Sequence, residues 1–134
     1  MTEKNYLNIV RASAWYDLII TSAFATPWTF IFVYGAMQST ASSLGLHGAM
    51  PDLGVTDILF ANLLGTVVIV WSVVRLSAPL VRYGKFDAAG RAFFALWQIY
   101  AVYSGASTIL LAFTFFEILF GVLQALPVHA KKTS

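Results

Sequence analysis

A chain of 134 residues with 59% hydrophobic and only 10% charged side chains lacks the polar groups to cover a water-facing surface; soluble domains carry roughly a quarter charged residues. The net charge of +2 is too small, and the basic residues too scattered, for nucleic-acid binding. The absence of cysteine excludes a disulfide framework, thiol chemistry and a Cys-based metal site. The composition predicts an integral membrane protein, all-α, with residues 1–134 forming one four-span domain.

The first predicted helix covers 7–37. Its apolar run from Leu18 to Met37 is long enough to cross about 30 Å of hydrocarbon. It exceeds the apolar core of a cleaved leader, so it is read as a retained helix. Two residues in it ask for a reason. Asp17 is an acid near its start. Pro27 removes a backbone hydrogen bond and frees the carbonyl of Ala23, which predicts a kink.

The second predicted helix covers 57–76, with an uncharged stretch between Asp57 and Arg75. On it, Asn62, Gly65, Thr66, Ile69 and Ser72 share a stripe read as interhelical packing. From 87 to 126 the chain is too long for one crossing. The "SGAS" segment, Ser104 to Ser107, supplies the break, giving helices at 87–103 and 107–126. Asp87 is the expected N-cap of the third helix. Pro127 stops the fourth.

Four crossings place Lys4, Arg11, Arg75, Arg82, Lys85, Arg91, Lys131 and Lys132 on one side and no basic residue on the other. The positive-inside rule then predicts cytoplasmic termini in a bacterial inner membrane.

Acids inside hydrocarbon are costly, which makes them functional candidates. By helical rise, Asp17 lies about 9 Å, Gln98 about 10 Å and Glu117 about 14 Å from the cytoplasmic boundary. The three predict a polar pocket open to the inside. Thr114, Glu117, Gly121 and Gln124 share one face of the last helix. No Lys or Arg falls at the depth of Glu117, so it is expected to be protonated and hydrogen-bonded to Gln98 or a tyrosine. Asp17 is expected to be ionised against Arg11, Arg75 or Arg91. Gln124 is a supporting residue. Trp97, Tyr100 and Tyr103 are candidates to line an apolar or cationic ligand. Trp71 is expected in the cytoplasmic aromatic belt.

His47 and His129 fall on opposite sides, so no metal site is expected. There is no HExxH, GxSxG or phosphate-binding glycine loop. The sequence predicts neither a cofactor nor an enzyme. It predicts instead a proton-linked transporter or efflux protein for a lipophilic or cationic small molecule. The first-helix motif of the proteobacterial compound-efflux family, Arg-x-x-His-x-x-x-Phe-Glu, is not matched by "RASAWYDLI". The alternatives are a lipid- or quinone-binding bundle, or a subunit of a homo-oligomer or larger membrane complex. In "FTFFEILFGVLQALP", Phe113, Phe115 and Phe116 stand beside Glu117, with Pro127 at the end. This segment resembles the acidic, Phe-rich helices of DoxX-like and EXPERA-type four-helix proteins, which implies a lipid or quinone ligand.

Overall fold

The computed structural model describes residues 1–129. Its elements are α1 (Glu3–Thr21), a short 3-10 turn (Ser22–Phe24), α2 (Pro27–Ser43), α3 (Val55–Ser77), α4 (Val81–Tyr103) and α5 (Leu110–Ala125). No strand occurs among the described residues. Lys131 and Lys132, two of the charges used to orient the chain, lie outside them.

The expected single helix at 7–37 is two helices, bent by 99°. Pro27 does not kink a continuous helix; it opens a new one. It occupies the first turn of α2, where its missing N–H costs nothing. Thr26 caps that start by accepting the Thr29 N–H at 3.3 Å. The Ala23 carbonyl takes the Thr29 hydroxyl at 2.7 Å. The Phe24 carbonyl takes the Asn62 amide at 2.8 Å. The break is therefore a finished joint, with its exposed carbonyls supplied by side chains.

The other boundaries move less. α3 begins two residues earlier than expected, and Asp57 accepts the Gly54 N–H at 2.8 Å to close its first turn. α4 begins at Val81, so Asp87 is not its N-cap but lies two turns inside. The turn at Ser104–Ser107 is present, with Gly105 at φ +108. α5 starts at Leu110.

α1 packs along α3, and α4 along α5, while α1 also touches α4 and α5. α3 and α4 are consecutive but do not pack along their length. Both ends of the described chain meet at one end of the bundle, here termed the base. Met1 N donates to Pro127 O at 3.0 Å, and Thr2 bridges His129. At the opposite end, the 44–54 loop is stitched to the α4–α5 turn. Ala49 N donates to Gly105 O at 2.9 Å and Ser107 N to Ala49 O at 3.1 Å. Gly48, at φ +92, lies against Ala106 where a Cβ would collide with backbone.

The interior is polar and the exterior apolar. Among the described residues six hydrophobic side chains are buried, against ten polar or charged ones. Polar contacts, not apolar area, therefore hold the helices in register. α3 is the one described helix that is long and apolar enough by itself to cross a membrane. The α1–α2 pair meets that test only as a bent unit, and α5 is apolar but has 16 residues. α4 is long enough but carries Arg82, Lys85, Asp87 and Arg91. By length and composition one crossing is met, where four were expected.

Gly65 is where the joint meets α3. A Cβ there would lie 2.6 Å from the Ala25 backbone nitrogen. Gly65→Val should therefore destabilise the fold by about 1–3 kcal/mol through overpacking. Gly90 has open space around its Cα, so Gly90→Ala should be neutral or stabilising by up to about 1 kcal/mol. Thermal unfolding of the two variants checks this, and equal midpoints would refute the close approach at Gly65.

Candidate functional site

The polar faces of α1, α3, α4 and α5 converge on one buried ion cluster. Helical spacing builds it: Ser13 and Asp17 are one turn apart on α1, Ser72 and Arg75 on α3, Asp87 and Arg91 on α4. Glu117 and Gln124 are two turns apart on α5.

Arg75 is fully buried. It donates from Nη1 to Asp87 Oδ2 at 2.6 Å and from Nη2 to Asp17 Oδ2 at 2.6 Å. Its Nη1 also reaches Ser13 Oγ at 3.1 Å and its Nη2 Ser72 Oγ at 3.3 Å. Arg91 donates from three nitrogens to three carboxylates: Nε to Asp87 at 3.0 Å, Nη2 to Asp17 at 2.6 Å and Nη1 to Glu117 Oε2 at 2.9 Å. Asp87 Oδ1 takes the Trp71 indole N–H at 2.8 Å. Arg75 also lies over the Trp71 ring and Arg91 over Phe120, at 5.6 and 5.2 Å.

Three carboxylates face two guanidiniums, so the fully ionised cluster carries a net charge of −1. The odd charge has an address. Asp17 Oδ2 and Glu117 Oε2 are engaged by arginine, but Asp17 Oδ1 and Glu117 Oε1 accept no hydrogen bond from a described residue. Both side chains line a cavity of about 390 Å³.

The cluster forms the floor of that cavity. Toward the base it is closed. Gln124 donates to Ser13 Oγ at 2.7 Å, and the Tyr6 hydroxyl to the Gln124 carbonyl at 2.7 Å. Tyr6 and Gln124 are fully buried. The expected opening toward the terminal end is thus a seal. Arg75 Nε and Gln124 Oε1, both buried, find no partner among the described residues. The cavity runs the other way, past Phe24 and Phe94, to a roof made by Phe30, Tyr34 and Met37 of α2 and by Met50. Tyr34 and Gln38 hold the loop to α2 through the carbonyls of Pro51, at 2.7 Å, and Met50, at 3.0 Å.

The expected site residues divide. Asp17 and Glu117 do meet, through Arg91. Glu117 has the ionic partner that sequence depth denied it, so the expectation of an unpaired Glu117 bonded to Gln98 is corrected. Gln98 lines the cavity but bonds Thr114, at 2.8 Å, and touches neither carboxylate. Arg11 faces outward and bonds Asn8 at 3.3 Å, so it does not pair with Asp17. Trp97 and Tyr100 are 60% and 61% exposed and meet edge-to-face outside the cavity, with Trp97 lining a shallower groove beside it. Tyr103 is also exposed. His47 and His129 stand at opposite ends of the bundle. No group of residues suited to a metal ion occurs among the described residues.

Asp87, Trp71, Ser13 and Ser72 were not identified as site residues from sequence. The available signal was the one-turn spacing of Asp87 from Arg91 and of Ser72 from Arg75. No family model, curated protein or solved structure matches the chain.

Arg75 serves two acids at once. Arg75→Met should cost about 3–5 kcal/mol, because Asp17 and Asp87 lose a counter-charge in a buried setting. Adding Asp87→Asn should recover part of this, with a coupling of about 0.5–3 kcal/mol. A double-mutant cycle from unfolding curves measures it. Strict additivity would show that the two residues do not form the pair described.

Proposed function

We propose that the chain is a membrane-embedded helical carrier that binds an amphiphilic monocation in this cavity in exchange for a proton. The single observation that carries the reading is the charge imbalance of the cluster, three acids to two arginines, at the floor of an aromatic-walled cavity. In a low-dielectric interior one uncompensated negative charge is expensive. It can be neutralised by a proton on Asp17 or Glu117, or by a cation seated against their unengaged oxygens. The two occupants then exclude each other, which is the physical basis of exchange. The surrounding rings, Tyr16, Phe24, Phe30 and Trp71 among them, suit the apolar body of such a cation.

The membrane setting is supported by the inverted burial pattern. Charges are inside, and Leu59, Phe60, Leu63, Val67, Val70 and Val73 of α3 are outside. α4, with 23 residues, spans about 33 Å by helical rise. Arg91 sits ten residues after Val81 and twelve before Tyr103, near the middle of that span. A charge at that depth is tolerable because it faces the bundle and is paired. Lys4, Arg11, Arg82 and Lys85 lie toward the base, which favours a cytoplasmic base under the positive-inside rule. Arg75 and Arg91 leave that tally, since they neutralise acids rather than flank a span. In this reading four segments cross the bilayer, with α2 folded across the cavity.

Tetraphenylphosphonium and tetraphenylborate have the same shape and opposite charge, so they separate the cation from a general lipophile. The purified protein should bind the phosphonium and not the borate. Its affinity should rise with pH, by up to about tenfold per unit where one proton is displaced per cation. Glu117→Gln leaves two acids against two arginines, and should abolish both the affinity and its pH dependence while unfolding remains cooperative. Equal binding of the borate, or unchanged pH dependence in both Glu117→Gln and Asp17→Asn, would sink the proposal.

A further inference from the structure

Resting on that function, we infer that the ligand is drawn from the apolar phase of the bilayer, through a lateral mouth between α3 and α4. Three of the cavity's boundaries are closed by specific contacts. The floor is the ion cluster over fully buried Arg75, Tyr6 and Gln124. The roof is α2, tied to the 44–54 loop by Tyr34 and Gln38. That loop is in turn tied to the α4–α5 turn by backbone hydrogen bonds at Ala49 and Ser107. The packed pairs α1–α3 and α4–α5 form the walls.

The remaining side is open. Six cavity-lining residues are exposed: Ile20, Leu64, Val67, Phe86, Gly90 and Phe94. All but Ile20 come from α3 and α4, the two consecutive helices that do not pack together. Leu64 is 45%, Val67 65%, Phe86 66% and Phe94 41% exposed. Among the described residues no charged side chain rims this opening. A hydrated ion arriving there would have to shed water against hydrocarbon side chains with nothing to replace it. A molecule already dissolved in lipid, apolar body first, would not. The mouth therefore selects amphiphilic organic cations and rejects small inorganic ones, although the cluster inside would accept the charge of either.

The absence of cysteine makes the route directly testable. Leu64→Cys with Phe94→Cys places a thiol on each side of the mouth, at two residues that also share a shallower groove beside it. Ala49→Cys with Ala106→Cys spans the backbone bridge above the roof, a spacing suited to a disulfide. Both proteins are reconstituted into phosphatidylcholine vesicles, and the rate of tetraphenylphosphonium binding is followed. A reducible bis-thiol linker across α3 and α4 should slow binding by at least about tenfold, as expected for a closed gate, and reduction should restore it. The disulfide above the roof should leave the rate unchanged. Restoration on reduction shows that the linked protein was folded. An unaffected rate with the mouth linked, or blockage by the disulfide above the roof, would overturn the lateral route while leaving cation–proton exchange standing. If the unsubstituted protein binds no phosphonium in competition with protons, the exchange function falls, and the route with it.

Discussion

The fold depends on one carboxylate oxygen. Asp17 Oδ2 receives both Arg75 and Arg91 at 2.6 Å, and thereby ties α1 to α3 and α4. Asp87 repeats the arrangement, binding the same two arginines, and Glu117 adds α5 through Arg91. Charges removed from water are tolerable only when their partners are placed with good geometry, and here only Arg75 Nε among the cluster's guanidinium nitrogens lacks a partner among the described residues. Once two guanidiniums occupy the centre, the rotation of four helices about their axes is fixed by the acids that must reach them. Apolar area does little of this work, because so little of it is inside.

The break after α1 follows from the same geometry. α1 must present Asp17 and Ser13 to α3 and α4, and a straight continuation would leave the space above the cluster unroofed. The turn at Ser22–Phe24 and the start of α2 at Pro27 redirect the chain across that space. Asn62 and Thr29 supply the hydrogen bonds that the turn would otherwise lose. Gly65 gives the joint room to lie against α3. The cavity, the roof and the polar floor are thus consequences of one bend and one ion cluster.

This layout gives the cavity an asymmetry suited to exchange. Its floor is charged and sealed, its walls are aromatic, and its open side is apolar. In the proposed exchange a proton and an organic cation compete for the same unit of charge. Arg91 touches all three acids. In the proposed exchange it is the group that would register occupancy at either Asp17 or Glu117.

The sequence by itself determined most turn positions and which faces are polar, but it read the break at Pro27 as a kink. Pro27, the Ser104–Ser107 segment and Pro127 punctuate the helices through local backbone chemistry, which needs no tertiary information. The one-turn and two-turn spacings around Asp17, Glu117 and Gln124 likewise placed polar stripes correctly. Aromatic content says nothing about which side of a helix faces in, and Trp97 and Tyr100 lie outside the cavity. Only the tertiary structure decided the pairings. Depth measured along each helix separately put Asp17 within reach of Arg75 and Arg91, but left Glu117 without a counter-ion and made Asp87 a cap. Arg91 reaches Glu117 because α4 starts six residues earlier than expected and packs closely on α5. That register is a relation between helices, set by where opposite charges can meet out of water, and no local pattern in the chain encodes it.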